Sequence, residues 1–359
     1  MHKTKIAGIG HYLPENIVSN EDLTKVMDTS DEWIQERTGI KTRRYVTRGE
    51  DTTATLGAKA ARKAIADAGI QAEDIDFIIF ATLSPDYYFP GCGVLLQREL
   101  GITKTEIGAL DIRNQCTGFV YGLSVADQFI RTGMYKNILL VGAEIHSHGL
   151  DFSTRGRGVS VIFGDGAGAV VLQPTTDENQ GVINTKLHSD GTHAEKLAVI
   201  HPGMHANYHL NKMEGFDQFV VNFDVEGQPY GGLFINKEIV ENYSYAPYME
   251  GQAVFKKAVK KFPEVIMEGF QDAGIPMTEL DMFIPHQANL RISQFVQKLL
   301  RLPDDKVYNN IMDYGNTTAA SIPIALSESI EKGLVKRGDL VCLAAFGSGF
   351  TWASALLRY

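Results

Sequence analysis

Cysteine is scarce in this chain. Only Cys92, Cys116 and Cys342 occur among 359 residues. So sparse and odd a set, without regular spacing, excludes a disulfide framework and a zinc site, and it fits a reducing compartment. Long apolar runs are missing as well. No stretch approaches the ~20 residues of a membrane-spanning helix, and the opening MHKTKIAGIGHYLP lacks the apolar segment of a signal peptide. The expectation is a cytoplasmic protein with no membrane contact and no bound metal. Positive charge is in deficit, with 34 Lys and Arg against 43 Asp and Glu and a net charge of −9. That balance argues against a nucleic-acid ligand, which needs a basic surface. It still allows a local basic patch for an acidic partner. The 44% hydrophobic and 21% charged residues suffice for one large α/β unit or two domains.

One cysteine organises what is present. Ile107 to Arg113 reads as a short buried strand, and Thr117 to Arg131 has apolar residues at helical spacing, closed by Gly133. Cys116 therefore stands at a strand-to-helix junction. Unpaired N–H groups and the positive end of the helix dipole favour an anion there, so its thiolate, the nucleophilic form, is expected to form easily. The plainer alternative is a small buried core thiol.

Around this junction, apolar strands alternate with helices. Lys3 to Gly10, Asp76 to Thr82, Asn137 to Ala143, Asp281 to Ile284, Leu340 to Ala345 and Trp352 to Leu357 read as strands. Thr53 to Ala68, Gly93 to Leu100, Glu250 to about Ala273, Leu290 to Leu300 and Thr317 to Ile330 read as helices. Strands apolar throughout imply a sheet covered on both faces. Residues 194–248 differ: rich in His, Tyr, Asn and Gly, they read as an insertion that elaborates a surface or cleft. Short strand is expected at Gln218 to Val225 and helix at Gly232 to Glu241.

The chain also repeats itself. Asp67-Ala68-Gly69-Ile70 and Asp272-Ala273-Gly274-Ile275 lie 205 residues apart, each followed by a strand. Cys116 to Gly133 and Asn316 to Gly333 lie 200 apart and read as helices of equal length. A duplicated α/β unit follows. Cys116 and Asn316 are then expected at matching helix N-termini, facing one interface.

Three further stretches are candidates for chemistry. His286, in Pro285-His286-Gln287-Ala288-Asn289, follows a strand directly, where α/β sheets place ligand contacts, and a histidine there can act as acid, base or donor. Asn316 has the setting of a helix N-cap. Phe346-Gly347-Ser348-Gly349-Phe350 is a glycine turn between two strands: either a plain hairpin, or a place where backbone N–H groups approach a ligand. The loop Gly164 to Gly168 lacks a P-loop lysine and opens no clear helix, so it is not a nucleotide site.

These motifs together resemble the type III β-ketoacyl-(acyl carrier protein) synthases, within the thiolase-fold condensing enzymes. The resemblance rests on Ser30 to Ile34 with Arg37 to Ile40, Cys116 to Phe119, Phe163 to Gly168, His286 to Ile292, Gly315 to Thr317 and Phe346 to Trp352, in that order. It implies a thiolase-like duplicated α-β-α-β-α layered fold with two pseudo-symmetric halves, 1–175 and 176–359, the second bearing the 194–248 insertion. It implies decarboxylative condensation of an acyl-CoA primer with malonyl-ACP, initiating fatty acid synthesis or a related pathway. Coenzyme A thioester is then a substrate, and no cofactor is expected. By the same resemblance Cys116 is the nucleophile, His286 and Asn316 bind the malonyl thioester carbonyl, and the backbone N–H groups of Cys116 and Ser348 form an oxyanion hole. Trp33 and Arg157 sandwich the CoA adenine and Arg37 meets the CoA phosphates. Arg291, with Lys298, meets the acidic carrier protein. Phe89 closes the acyl pocket of the partner subunit in a homodimer.

Three departures stand out: Arg113-Asn114-Gln115 where small residues usually precede the cysteine, Ser348 in place of a common glycine, and the long 194–248 stretch. The last predicts a primer longer or bulkier than acetyl. Two other readings stay open. One is a thiolase-fold acyltransferase, or a secondary-metabolite condensing enzyme, with a different acceptor. The other is a papain-like protease, since Cys…His…Asn also occurs there, although that leaves the repeat unexplained.

Overall fold

The computed structural model describes residues 2–104, 106–203 and 237–359. Its centre is two sheets. The first runs Lys3–Tyr12, Gly166–Thr175, Ile138–Glu144, Phe77–Ala81, Gly108–Ile112 in spatial order, and the second Gly181–Ser189, Thr351–Arg358, Leu340–Gly347, Met282–Pro285. Pairing matches strand for strand. Two antiparallel steps come first, then a parallel one: Ile138–Glu144 with Phe77–Ala81, and Leu340–Gly347 with Met282–Pro285. The second sheet has four strands, and a lone parallel bridge from Phe283 to Val307 stands where its fifth would pair. The duplicated unit expected from the repeat is therefore visible in the topology.

Helices form three of the five layers, alternating with the two sheets. Gly118–Arg131 and Ser321–Glu331 lie between the sheets, where Phe119, Leu123, Ile130, Ile322 and Leu326 meet Ile79, Leu140 and Val170 of one sheet and Ile284, Val341 and Leu343 of the other. Thr53–Asp67 and Cys92–Leu100 cover the outer face of the first sheet through Leu56, Ala64 and Leu96 against Ile78, Phe80 and Val141. Gly251–Ala273 and Leu290–Leu300 cover the second through Phe262, Ile266 and Val296 against Phe283 and Cys342. Both sheet faces are thus dry, and successive strand residues must all be apolar. Each large side chain so buried contributes roughly 1.5–3 kcal/mol. The turn that opens Ser321–Glu331 sits close to the opposite half: a Cβ on Gly142 would lie 2.4 Å from the Ala319 carbonyl oxygen.

The structure corrects several expectations. Gly108–Ile112 is an edge strand with Leu110 37% exposed rather than a buried one. The repeat is not in simple register. Gln115–Thr117 and Thr318–Ala320 are matching 3-10 turns 203 residues apart, and their first residues, Gln115 and Thr318, stand at φ 45° and 49°. Cys116 therefore corresponds to Ala319, not to Asn316. The helices that follow hold 14 and 11 residues, and their ends, Arg131 and Glu331 with the closing Gly133 and Gly333, keep the 200-residue offset. Gly181–Ser189, absent from the strands read in the sequence, is the edge strand of the second sheet. Of the 194–248 stretch, residues 204–236, including the expected strand at 218–225, lie outside the described residues; Lys237–Glu241 is helical.

Candidate active site

Cys116 lies in the turn Gln115–Thr117, two residues before the helix Gly118–Arg131 begins. The Thr117 hydroxyl is 2.9 Å from that of Thr351, which binds the nucleophile turn to the second half. Cys116 is buried, and the backbone N–H groups of Cys116 itself and of Ser348 act on its sulfur in the direction that favours the thiolate. The hairpin carrying Ser348 joins Leu340–Gly347 to Thr351–Arg358. Residue 347 has to be glycine for this approach, because a Cβ there would lie 2.6 Å from the Cys116 Cβ and 2.9 Å from Sγ. The Ser348 hydroxyl donates to the Leu197 carbonyl and ties the hairpin to the start of the 194–248 stretch. A thiolate favoured by the helix terminus was the expectation; burial instead pushes the Cys116 thiol up to about 12, and the neighbouring Glu144 adds to the shift. Desolvation outweighs the pull of the two N–H groups.

His286 follows the strand Met282–Pro285, and its N–H donates to the Ala344 carbonyl at 2.8 Å. Its Nδ1 lies 2.7 Å from Ser321 Oγ, and Nε2 is buried with no partner in the protein. Burial pulls its pKa down to about 3, so the ring is neutral at physiological pH. Asn316 does not cap a helix, since Ser321–Glu331 starts five residues later. Its backbone instead bridges to Phe163, with N–H to the Ile162 carbonyl at 2.9 Å. Its Oδ1 accepts the Thr318 N–H at 2.8 Å, a turn closed by the asparagine side chain. That leaves the amide's NH2 end for a ligand. The Ser321 contact to His286 and the Thr318 contact to Asn316 hold both side chains against one short segment, 316–321.

Glu144 ends the strand Ile138–Glu144, His146 follows two residues later, and both reach this same segment. Glu144 is buried and accepts from the Thr82 and Ser84 hydroxyls and from the N–H groups of Leu83, Ser84 and Ala319. Burial still pushes its carboxyl up to about 7. His146 Nε2 is 2.7 Å from Thr318 Oγ1. The sequence reading passed over both residues. The signal for Glu144 was available: a lone acid ending an otherwise apolar strand.

The three CoA candidates also meet. Trp33 sits in the helix Asp31–Thr38, capped by Ser30, and the guanidinium carbons of Arg37 and Arg157 lie 4.6 and 5.1 Å from its ring centroid. Asn289 donates to the Arg37 carbonyl and links this cluster to the segment after His286. Arg291 and Lys298 are exposed on Leu290–Leu300, beside the exposed Phe295 and Leu299. Phe89 stands apart, 81% exposed beside Tyr88, over whose ring lies Arg113. Among the described residues no group of His, Cys, Asp or Glu could hold a metal ion, and no helix is long and apolar enough to cross a membrane.

This layout is shared with known proteins. Residues 110–191 match the family described as 3-Oxoacyl-[acyl-carrier-protein (ACP)] synthase III, and residues 270–359 its C-terminal part. The chain is 43% identical over 359 residues to the beta-ketoacyl-[acyl-carrier-protein] synthase III of Thioalkalivibrio sulfidiphilus, covering 100% of both chains. The chain belongs to the β-ketoacyl-ACP synthase III family. The Xanthomonas campestris pv. campestris synthase III is 42% identical, with 99% of this chain and 98% of that one covered. The crystal structure of the Aquifex aeolicus VF5 synthase III superposes with a TM-score of 0.83 at 39% identity, covering 99% and 100%. The fold is the thiolase fold, and the chain is an acyltransferase-type condensing enzyme of that family.

Proposed function

We propose that the enzyme condenses an acyl-CoA primer with malonyl-ACP through an acyl-Cys116 intermediate and releases a 3-oxoacyl-ACP. Cys116 Sγ attacks the acyl-CoA carbonyl, the C–S bond to CoA breaks, and CoA leaves as the thiol with the cysteine's proton. The malonyl thioester then loses CO2, and its bonding pair passes to an enolate whose oxygen takes donors from His286 Nε2 and the Asn316 NH2 group. Neutral donors stabilise that charge without protonating the carbanion. The carbanion attacks acyl-Cys116, the tetrahedral oxyanion is met by the N–H groups of Cys116 and Ser348, and the thiolate departs. The observation that carries this reading is the buried, unpartnered Nε2 of a neutral His286, held by Ser321 on the segment where the Thr318 N–H occupies Asn316 Oδ1 and leaves its NH2 end to donate.

Around that centre, Trp33 and Arg157 hold the CoA adenine and Arg37 its phosphates, by cation–π and charge contacts. Arg291 and Lys298 receive the acidic carrier protein. Phe89 closes the acyl pocket of the partner subunit in a homodimer. The working site lies between two halves, 1–175 and 176–359, of a cytoplasmic enzyme that needs no cofactor. The 194–248 stretch, tied to the oxyanion hairpin through Leu197, favours a primer longer than acetyl. Intact mass after incubation with acyl-CoA primers of increasing length, beside Cys116→Ala, tests this. An acyl adduct on the native protein alone is expected, strongest for primers beyond acetyl. No adduct with any primer overturns the nucleophile assignment, and strict acetyl preference overturns the primer assignment.

A further inference from the structure

The side-chain oxygen and nitrogen of an asparagine have nearly the same shape, so hydrogen-bond partners decide which end faces a ligand. For Asn316 the deciding partner is the Thr318 N–H, 2.8 Å from Oδ1. That N–H reaches Oδ1 from a residue held at φ 49°, in the left-handed region that a β-branched residue seldom adopts. Thr318 needs an anchor to stay there, and its hydroxyl has one: His146 Nε2 at 2.7 Å, both side chains buried. His146 is itself fixed at both ends. Its N–H donates to Asp165 Oδ1 at 2.7 Å, and its ring packs on Phe163, centroids 4.7 Å apart. Phe163 in turn bridges to the backbone of Asn316.

We infer that His146 is a positioning residue for the condensation step: through the Thr318 hydroxyl it sets the direction of the Asn316 amide, so that the NH2 end faces the malonyl thioester. This rests on the role proposed above for Asn316. His146 touches neither Cys116 nor its two N–H donors in the contacts described, so its loss acts on decarboxylation and not on acyl transfer to the cysteine.

The test measures two half-reactions on the full chain: CO2 release from malonyl-ACP, and acyl-Cys116 formation by intact mass. His146→Leu and Thr318→Val each remove the bond while keeping bulk. Each is expected to slow CO2 release roughly tenfold and leave acylation within about twofold. The double variant is expected to be no slower than either single one, since both cut the same link. His146→Gln, whose amide reaches the position of Nε2, and Thr318→Ser restore most of the rate. If His146→Leu does not fold, the Thr318→Val and Thr318→Ser pair decides the same question. Unchanged CO2 release in Thr318→Val, or acylation falling in step with it, overturns the inference. Wild-type protein that releases no more CO2 than Asn316→Ala removes the role of Asn316 itself, and the inference with it.

Discussion

Ser321 Oγ lies 2.7 Å from His286 Nδ1, and the opposite nitrogen of that ring is buried without a protein partner. A serine hydroxyl that donates to Nδ1 fixes the proton on Nε2, the nitrogen left to meet a substrate oxygen. Ser321→Ala frees the tautomer and is expected to lower CO2 release from malonyl-ACP by roughly tenfold. Acylation of Cys116 is expected to stay near the wild-type rate. Equal loss in both half-reactions points to collapse of the helix start instead.

The ligand-free thiol of Cys116 makes a second prediction. With its pKa pushed up to about 12, the thiolate is a minor species throughout the neutral range. Alkylation by iodoacetamide, followed by mass spectrometry, is expected to rise about tenfold per pH unit from pH 7 to 9 without a plateau. A plateau near pH 7 shows that the helix terminus prevails over burial after all.

Glu144 predicts a stability change of definite sign. Its folded-state pKa, about 7, lies above the ordinary 4.5, so between these values the folded state holds more protons than the unfolded one. Its contribution is therefore complete below pH 4.5 and is lost as pH rises through 7, on the order of 3 kcal/mol. Glu144→Gln cannot titrate, and its amide turns a donor toward Ser84, so it starts from a lower melting temperature. From pH 5 to 7.5 the wild type is expected to lose more of its melting temperature than this variant. Parallel curves show that the carboxylate stays ionised, held by its five donors.

The strands and helices were legible because dry sheet faces and amphipathic helices impose their periods on nearby residues. Leu290–Leu300 lies where its spacing put it, and the hairpin at Gly347 to Phe350 was visible in its glycines. The order of the halves was legible too, since duplication leaves its mark on the chain. The register was not: the glycines that close the two middle helices keep a 200-residue offset, but the turns that open them do not.

By itself, then, the sequence determined the layered fold, the residue types of the site and their places beside strand ends, all matters of local pattern. Tertiary structure alone decided the protonation and aim of those residues. A low Cys116 pKa follows from a helix start considered alone, but burial and Glu144, 28 positions further along, reverse it. The direction of the Asn316 amide depends on Thr318 and, through it, on His146, 170 positions earlier. Desolvation and hydrogen bonding act across space, and no spacing along the chain records which distant strand end will close over a site.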